Sequence, residues 1–392
     1  MSTAYRRTLR FILPFEVLNI DLKLIFISNF IGAFGDGLFA YLLPYYITEH
    51  LGASASEMGM LYTVTFLVSA TTLLIAGIIA DKYDRKKVMI AGWLAWIPAP
   101  LLFSLAENWV QMLPGMILWG FWLSGPTSTA YVVSTADKNK LTLTFTVLSA
   151  SWSIGYIFSP AVGGYLADII GMQRVFYVSF LFYTAACLIL TMIRSQRPQL
   201  HLQSNNNASG NSTRMEKLVL LSAFFALVTF VTMMFRQFIP KFLWDAYGYG
   251  DFKIGLLGSV SFFGSAVLGL LLGRLGDRWR KSYAVAASMI LCGSSLLLLL
   301  SSGCIYVLLI AFFLLGASYI TWSLMSAVVG PMAPEHKRAR WISIPQTVSM
   351  FSSFLAPYVG GLIYEISPHH LFTVSIIALF SIALLSFLRH FE

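Results

Sequence analysis

Charged residues are scarce in this chain. Asp, Glu, Lys and Arg make up 11% of 392 residues and hydrophobic residues 57%, whereas soluble domains carry roughly 25% charged residues. A soluble fold is excluded, because most of the surface must face something other than water. Cysteine is scarce as well. Cys187, Cys292 and Cys304 lie in or beside apolar segments, which suits packing and argues against a disulfide framework or a metal site. Walker phosphate loop, His-Glu-x-x-His pair and nucleophile elbow are all missing. An enzyme and a nucleotide-driven pump are therefore not expected, and neither is a metal or a bound cofactor. Arg6, Arg7 and Arg10 precede only a short apolar patch broken by Pro14, Glu16 and Asp21, so no cleavable signal peptide is expected.

What the chain does have is a succession of apolar runs. A spanning helix needs about 20 mostly apolar residues, and charge or turn residues delimit twelve candidates: 22–47, 58–80, 88–105, 109–135, 142–166, 175–193, 218–243, 254–272, 283–300, 305–333, 342–364 and 371–388. Placing Lys and Arg on the resulting loops tests that count. With a cytoplasmic N-terminus, 22 of the 26 fall on the inner loops and tails, three (Arg174, Lys241 and Lys253) fall outside, and Arg236 lies within a span. That asymmetry is the positive-inside signature. The net charge of +9 is thus an orientation signal, both termini are expected in the cytoplasm, and nucleic acid is not expected as a partner.

The stretch 194–217 contains QSNNNASGNST, polar and low in complexity, and reads as a flexible linker. It separates an N-terminal bundle (1–193) from a C-terminal one (218–392), and the two repeat. Pro44 recurs as Pro240, Gly52 as Gly248, Gly59 as Gly255, Gly77 as Gly273, Asp81 as Asp277 and Gly120 as Gly316, all at a shift of 196. One residue further, Pro160 recurs as Pro357 and Gly163-Gly164 as Gly360-Gly361. Six spans per half keep both copies in the same orientation, the arrangement of parallel-repeat transporters. The expected fold is an all-α membrane protein of 12 transmembrane helices in two pseudo-symmetric six-helix bundles. A channel fits this repeat poorly.

After the second span comes Gly77-Ile-Ile-Ala-Asp81-Lys82-Tyr83-Asp84-Arg85-Lys86-Lys87, and a weaker copy, Gly273 to Lys281 with Asp277, follows the eighth. The copy has Arg280 where the first has Asp84. This pattern resembles the cytoplasmic signature of the major facilitator superfamily, and with span count, linker and repeat the resemblance covers the whole chain. Its physical logic is that of a latch. Gly77 lets two helices approach closely. Asp81 sits against the N-terminus of the eleventh span, a contact worth about 0.3–1 kcal/mol through the helix dipole, and Arg85 pairs with Asp81 to orient it. The fifth span carries Gly155, Ser159-Pro160 and Gly163-Gly164, which looks like the superfamily's exporter-associated motif with Ser159 replacing a glycine. Pro357, Gly360 and Gly361 form a similar group in the eleventh, so bending and close packing in both halves explain the residues equally well.

Two charges fall inside spans, Asp36 in the first and Arg236 in the seventh. A charge near the bilayer centre costs at least about 2.5–3.5 kcal/mol and faces a cavity or a partner. Low dielectric favours the neutral form of a carboxyl group, which makes Asp36 the candidate for ion coupling; a purely structural carboxylate is the alternative. Arg236 has three readings: a contact for an anionic group, a partner for Asp36, or a side chain snorkelling to the surface. Asn29, Trp119, Trp122, Tyr131, Trp152, Tyr319, Trp322 and Gln346 are further substrate-binding candidates, because aromatic and polar side chains suit an apolar compound or a sugar ring. The leading expectation is a proton-coupled secondary transporter that exports small, partly hydrophobic compounds from the cytoplasmic membrane and works as a monomer, with sodium not excluded as the ion. An uptake symporter for a sugar or organic anion and a non-transporting receptor are the alternatives.

Overall fold

A computed structural model describes residues 15–137, 140–197, 212–329, 332 and 338–388, which are helical throughout apart from short turns. The N-terminal bundle runs Ile20–Ala40 continued by Leu43–Glu49, then Ala55–Lys82, Arg85–Trp96 with Pro98–Leu105, Leu113–Trp119 with Ser124–Thr135, Leu141–Ile170 and Met172–Leu190. The C-terminal bundle repeats the plan: Ser212–Arg236 with Ile239–Tyr247, Asp251–Arg278, Lys281–Ser301, Ile305–Leu315 continued through a 3₁₀ segment to Thr321–Val329, Arg338–Ser353 with Ala356–Ile366, and Pro368–Leu388. These are twelve spans of a multi-pass membrane protein. Among the described residues ten helices are long and apolar enough to cross a bilayer unaided, and the tenth span makes eleven as a bent pair. The fourth falls short because its helix stops at Gly120 and resumes at Ser124, a break the apolar run 109–135 did not reveal.

The other interruptions have a visible cause. Helices resume with proline in their first turn at Pro44, Pro98, Pro114, Pro240 and Pro357, where a missing N–H costs nothing. Pro160, by contrast, lies inside one uninterrupted helix. Gly52 and Gly248, a repeat-related pair, both have φ in the left-handed region, at 70° and 62°, which only glycine adopts without strain. Residues 198–211 of the expected linker lie outside the described residues. Its edges are shorter than expected: the seventh span already begins at Ser212, and at the other edge the Arg194 N–H donates to Asp21 and Gln196 bonds Thr135, fastening that segment to the N-terminal bundle.

The two halves meet through glycine. A methyl group added at Gly255 would lie 2.1 Å from the Pro160 carbonyl oxygen, and one at Gly164 would lie 2.3 Å from that of Asp251. The repeat-related contacts join the second and eleventh spans, Gly59 to Pro357 at 2.3 Å and Gly361 to Ala55 at 2.5 Å. Within the halves, Gly163 abuts Leu38 as Gly360 abuts Met234, at 1.9 and 2.1 Å. All of these are backbone approaches that any side chain would prevent. The same end of the molecule carries Lys241 bonded to Glu49 at 2.8 Å and Ser56 bonded to Glu365 at 2.9 Å.

At the opposite end, which bears the basic loops, a methyl group at Gly77 or Gly273 would meet nothing within 4 Å. The close approach expected of these glycines is therefore not seen among the described residues. The Asp81 side chain and those of 339–343 lie outside the described residues. Arg85 reaches the Ala130 carbonyl at 3.0 Å, Gln196 at 2.9 Å and the Ser134 hydroxyl, fastening the third span to the fourth. Asp277 is exposed.

Candidate functional site

Asp36 lies in the middle of the first span and is 6% exposed. The packing that buries it is built from its neighbours. Gly35 touches the Phe182 side chain, Gly37 touches Ser159, and Gly155 touches Ala33, so three glycines draw the first, fifth and sixth spans together around the carboxylate. Ser159, which stands where the exporter pattern has glycine, fits because Gly37 has no side chain. Three donors converge on Asp36. The Trp119 indole N–H donates to Oδ1 at 2.8 Å, and the hydroxyls of Tyr183 and Tyr156 donate to Oδ1 and Oδ2. They replace the water that the carboxylate gives up on burial.

Asp36 borders a chamber of about 310 Å³ between the halves, whose other lining residues include Tyr41, Tyr62, Phe66, Trp119 and Tyr156 from one half and Arg236, Gln237, Phe262 and Tyr319 from the other. Asp36 and Arg236 share this chamber without forming an ion pair among the described residues, so of the three readings of Arg236 the pairing with Asp36 is not the one seen here. Asp36 is already held by three donors from its own half. The Arg236 guanidinium instead lies over the Tyr319 ring, 4.7 Å from its centroid, and donates to the Met233 thioether at 3.2 Å. A row of rings crosses between the halves: Tyr156 lies 4.8 Å from Phe262, and Phe262 lies 4.7 Å from Tyr319. Beyond that row, toward the basic loops, Phe262 and Tyr319 also border a second cavity of about 290 Å³ with Ser153, Ser265 and Ser323.

The remaining candidates divide. Asn29, Trp122 and Trp152 line a separate cavity of about 260 Å³ within the N-terminal half, although Trp152 stacks on Tyr156 at 6.3 Å and so touches the chamber wall. Tyr131 is not at either cavity. It is fully buried, and its hydroxyl donates to the Arg194 carbonyl at 2.9 Å, which makes it a fastener of the segment after the sixth span. Gln346 bonds Ser326 at 3.4 Å, away from the chamber. The Trp322 side chain lies outside the described residues. Sequence reasoning missed Tyr41, Tyr62, Tyr156, Tyr183 and Phe262. The available signal for the tyrosines was a polar tip on an aromatic body in mid-span, which needs a partner once buried; Phe262 carried none.

A sequence profile of the Major Facilitator Superfamily matches residues 25–252 and 221–391. The multidrug resistance protein MdtG of Yersinia enterocolitica is 28% identical over 261 residues, a match spanning 60% of this chain and 60% of that protein. The class H tetracycline resistance protein of Pasteurella multocida is 25% identical over 367 residues, covering 89% and 90% of the two chains. Among solved structures, a mutant of the nucleoside transporter NupG superposes with a TM-score of 0.79 over 94% of this chain and 99% of its own, at 14% identity, a likeness of fold alone. With two repeated six-helix bundles around a shared chamber and a profile match covering most of its length, this chain belongs to the major facilitator superfamily and is a membrane transporter, with drug-resistance proteins among its relatives.

Proposed function

We propose that this protein exports small, partly hydrophobic compounds across the cytoplasmic membrane in exchange for protons, one chain forming the whole path. The observation that carries this reading is Asp36, a carboxylate buried at the chamber wall with three donors on its two oxygens. A proton arriving on Asp36 competes with Tyr156 and Tyr183 for the same lone pairs. Tyr156 is also the first ring in the row that crosses to Phe262 and Tyr319. Protonation therefore loosens a group that stands at the boundary between the halves, a direct link between ion occupancy and their relative position.

The charge asymmetry of the loops supports a cytoplasmic placement of the basic end and of both termini. With that orientation the conformation is closed outside, through the glycine contacts of the fifth, eighth, second and eleventh spans. The Gly77–Arg85 segment then forms its latch only in the opposite, outward-open state. Export also agrees with the names of the relatives, and their tetracycline member supplies a first compound to try.

The test uses purified protein in proteoliposomes, tetracycline as the first compound, and an imposed pH gradient. Tetracycline is expected to move against its gradient only while the proton gradient lasts. Asp36→Asn is expected to retain exchange of labelled for unlabelled compound and to lose gradient-driven accumulation. Undiminished accumulation by Asp36→Asn removes Asp36 from coupling, and the absence of any movement for a broad panel of compounds removes the transport reading.

A further inference from the structure

We infer that the chamber takes a small organic anion and that the Arg236 guanidinium reads its negative charge; this rests on the transporter reading above and concerns the same site. Among the described residues, Asp36 and Arg236 are the two charged ones of the chamber wall, and their situations differ. The oxygens of Asp36 are occupied by Trp119, Tyr156 and Tyr183, so its charge is solvated from within the protein. Arg236 offers five N–H donors in a rigid fork. One of them meets a thioether, a weak acceptor, while the flat face is supported by Tyr319. No carboxylate or carbonyl pairs with this guanidinium among the described residues.

A second observation points the same way. Tyr41 and Tyr62 line the chamber, are 9% and 2% exposed, and their hydroxyls have no hydrogen-bond partner among the described residues. Polar groups buried without partners are costly, so two unpartnered O–H groups and a guanidinium whose side-chain acceptor is a thioether give this wall N–H and O–H donors that an anion can take up, each hydroxyl accepting as well as donating. A carboxylate or phosphonate satisfies such a wall, and arginine binds either one in a bidentate fork. Apart from Gln237 and the tyrosine and tryptophan side chains already named, the lining, with Phe66, Phe262 and the prolines 44 and 240, is apolar and suits a hydrocarbon or aromatic body. A cation would meet an unpaired guanidinium and a carboxylate already committed elsewhere. The volume of about 310 Å³ lies at the small end of ligand pockets.

Binding of naphthoate, naphthamide and naphthylmethylammonium to the full chain in detergent, followed by titration calorimetry, separates charge from shape. Naphthoate is expected to bind about tenfold more tightly than the other two, the ratio that one charge-assisted hydrogen bond supplies. Arg236→Gln is expected to bring naphthoate down to the affinity of the amide and to leave the amide unchanged, which also shows that the variant is folded. Equal binding of the three probes, tightest binding of the cation, or a naphthoate preference that survives Arg236→Gln overturns the assignment. Should Arg236→Gln lose the amide as well, Tyr41→Phe and Tyr62→Phe decide. Each is expected to weaken naphthoate alone, and an unchanged preference in both overturns the assignment. Anion-selective binding without naphthoate counterflow in proteoliposomes leaves the anion site standing and removes naphthoate as a transported compound; only the failure of the whole panel bears on the transport reading.

Discussion

Gly255 packs on the carbonyl of Pro160 so tightly that a methyl group added to it would lie 2.1 Å from the oxygen. Its repeat mate Gly59 does the same to Pro357, the repeat mate of Pro160, at 2.3 Å. The duplicated sequence is thus a duplicated interface. The fifth span of one half meets the eighth of the other, as the eleventh meets the second, and glycine is required at both places because the neighbour is backbone and cannot rotate away.

Replacing Gly255 with Leu is therefore expected to destabilise the arrangement closed at this end. Overpacking of a fitted contact costs about 1–3 kcal/mol, enough to shift a two-state equilibrium about fivefold to more than a hundredfold. Spin labels on exposed positions Glu107 and Tyr306, in a Cys304→Ser background, report the distance across this end. The long-distance population is expected to rise in Gly255→Leu. An unchanged distribution would falsify the claim that this contact holds the end shut.

The Lys241–Glu49 pair joins the same ends but ranks far lower. Its side chains are 15% and 27% exposed and separated by 2.8 Å, and Lys241 has Asp245 as a second partner at 3.2 Å. Surface pairs contribute about 0–1 kcal/mol, and salt weakens them. Glu49→Gln is expected to move the same distance distribution less than Gly255→Leu does, with the remaining effect vanishing at high ionic strength. A larger shift for Glu49→Gln reverses the ranking of packing over charge.

Asp84, in the loop between the second and third spans, gives a pH signature. Partial burial pushes its carboxyl up, but hydrogen bonds from the Ser195 hydroxyl and the N–H groups of Lys87, Gln196 and Lys86 outweigh it and hold the group below its ordinary value of 3.8. A carboxyl depressed in the folded state contributes stability that is fully present above the unfolded value and is lost as pH falls through the folded one. Asn retains the N-cap without the charge. The melting-temperature advantage of the parent over Asp84→Asn is expected to be constant above about pH 5, since a group of pKa near 3.9 is then ionised in both states, and to fade on acidification below pH 4. An advantage that grows with acid contradicts the hydrogen-bond assignment.

Much of this architecture was legible because bilayer physics writes it in long apolar runs and in the placement of Lys and Arg. The repeat exposed Gly59, Gly255, Gly164 and Gly361 as a set, since close helix approach tolerates only small residues. What stayed hidden depends on rotation about helix axes. Nothing in the sequence distinguishes Tyr183, which bonds Asp36, from Tyr131, which fastens Arg194, because both are tyrosines in apolar helices. The break after Gly120 was hidden for a related reason: the surrounding residues remain apolar whether or not the helix continues.

The bond from Trp119 to Asp36 at 2.8 Å carries the last prediction. Trp119→Phe keeps an aromatic ring beside Phe39 and Phe103 but removes one of three donors to a buried carboxylate, a loss of about 1.5–3 kcal/mol for a hydrogen bond to a charged group. If Asp36 is first changed to Asn, the bond has less charge to stabilise, and the same Trp119→Phe change becomes cheaper. The two substitutions are therefore expected to be non-additive, with a coupling of about 0.5–3 kcal/mol, read from thermal unfolding of the four proteins of the cycle in one detergent. Additive effects show that the bond contributes nothing beyond the packing of the rings, and in that case Trp119 serves the chamber only as a wall.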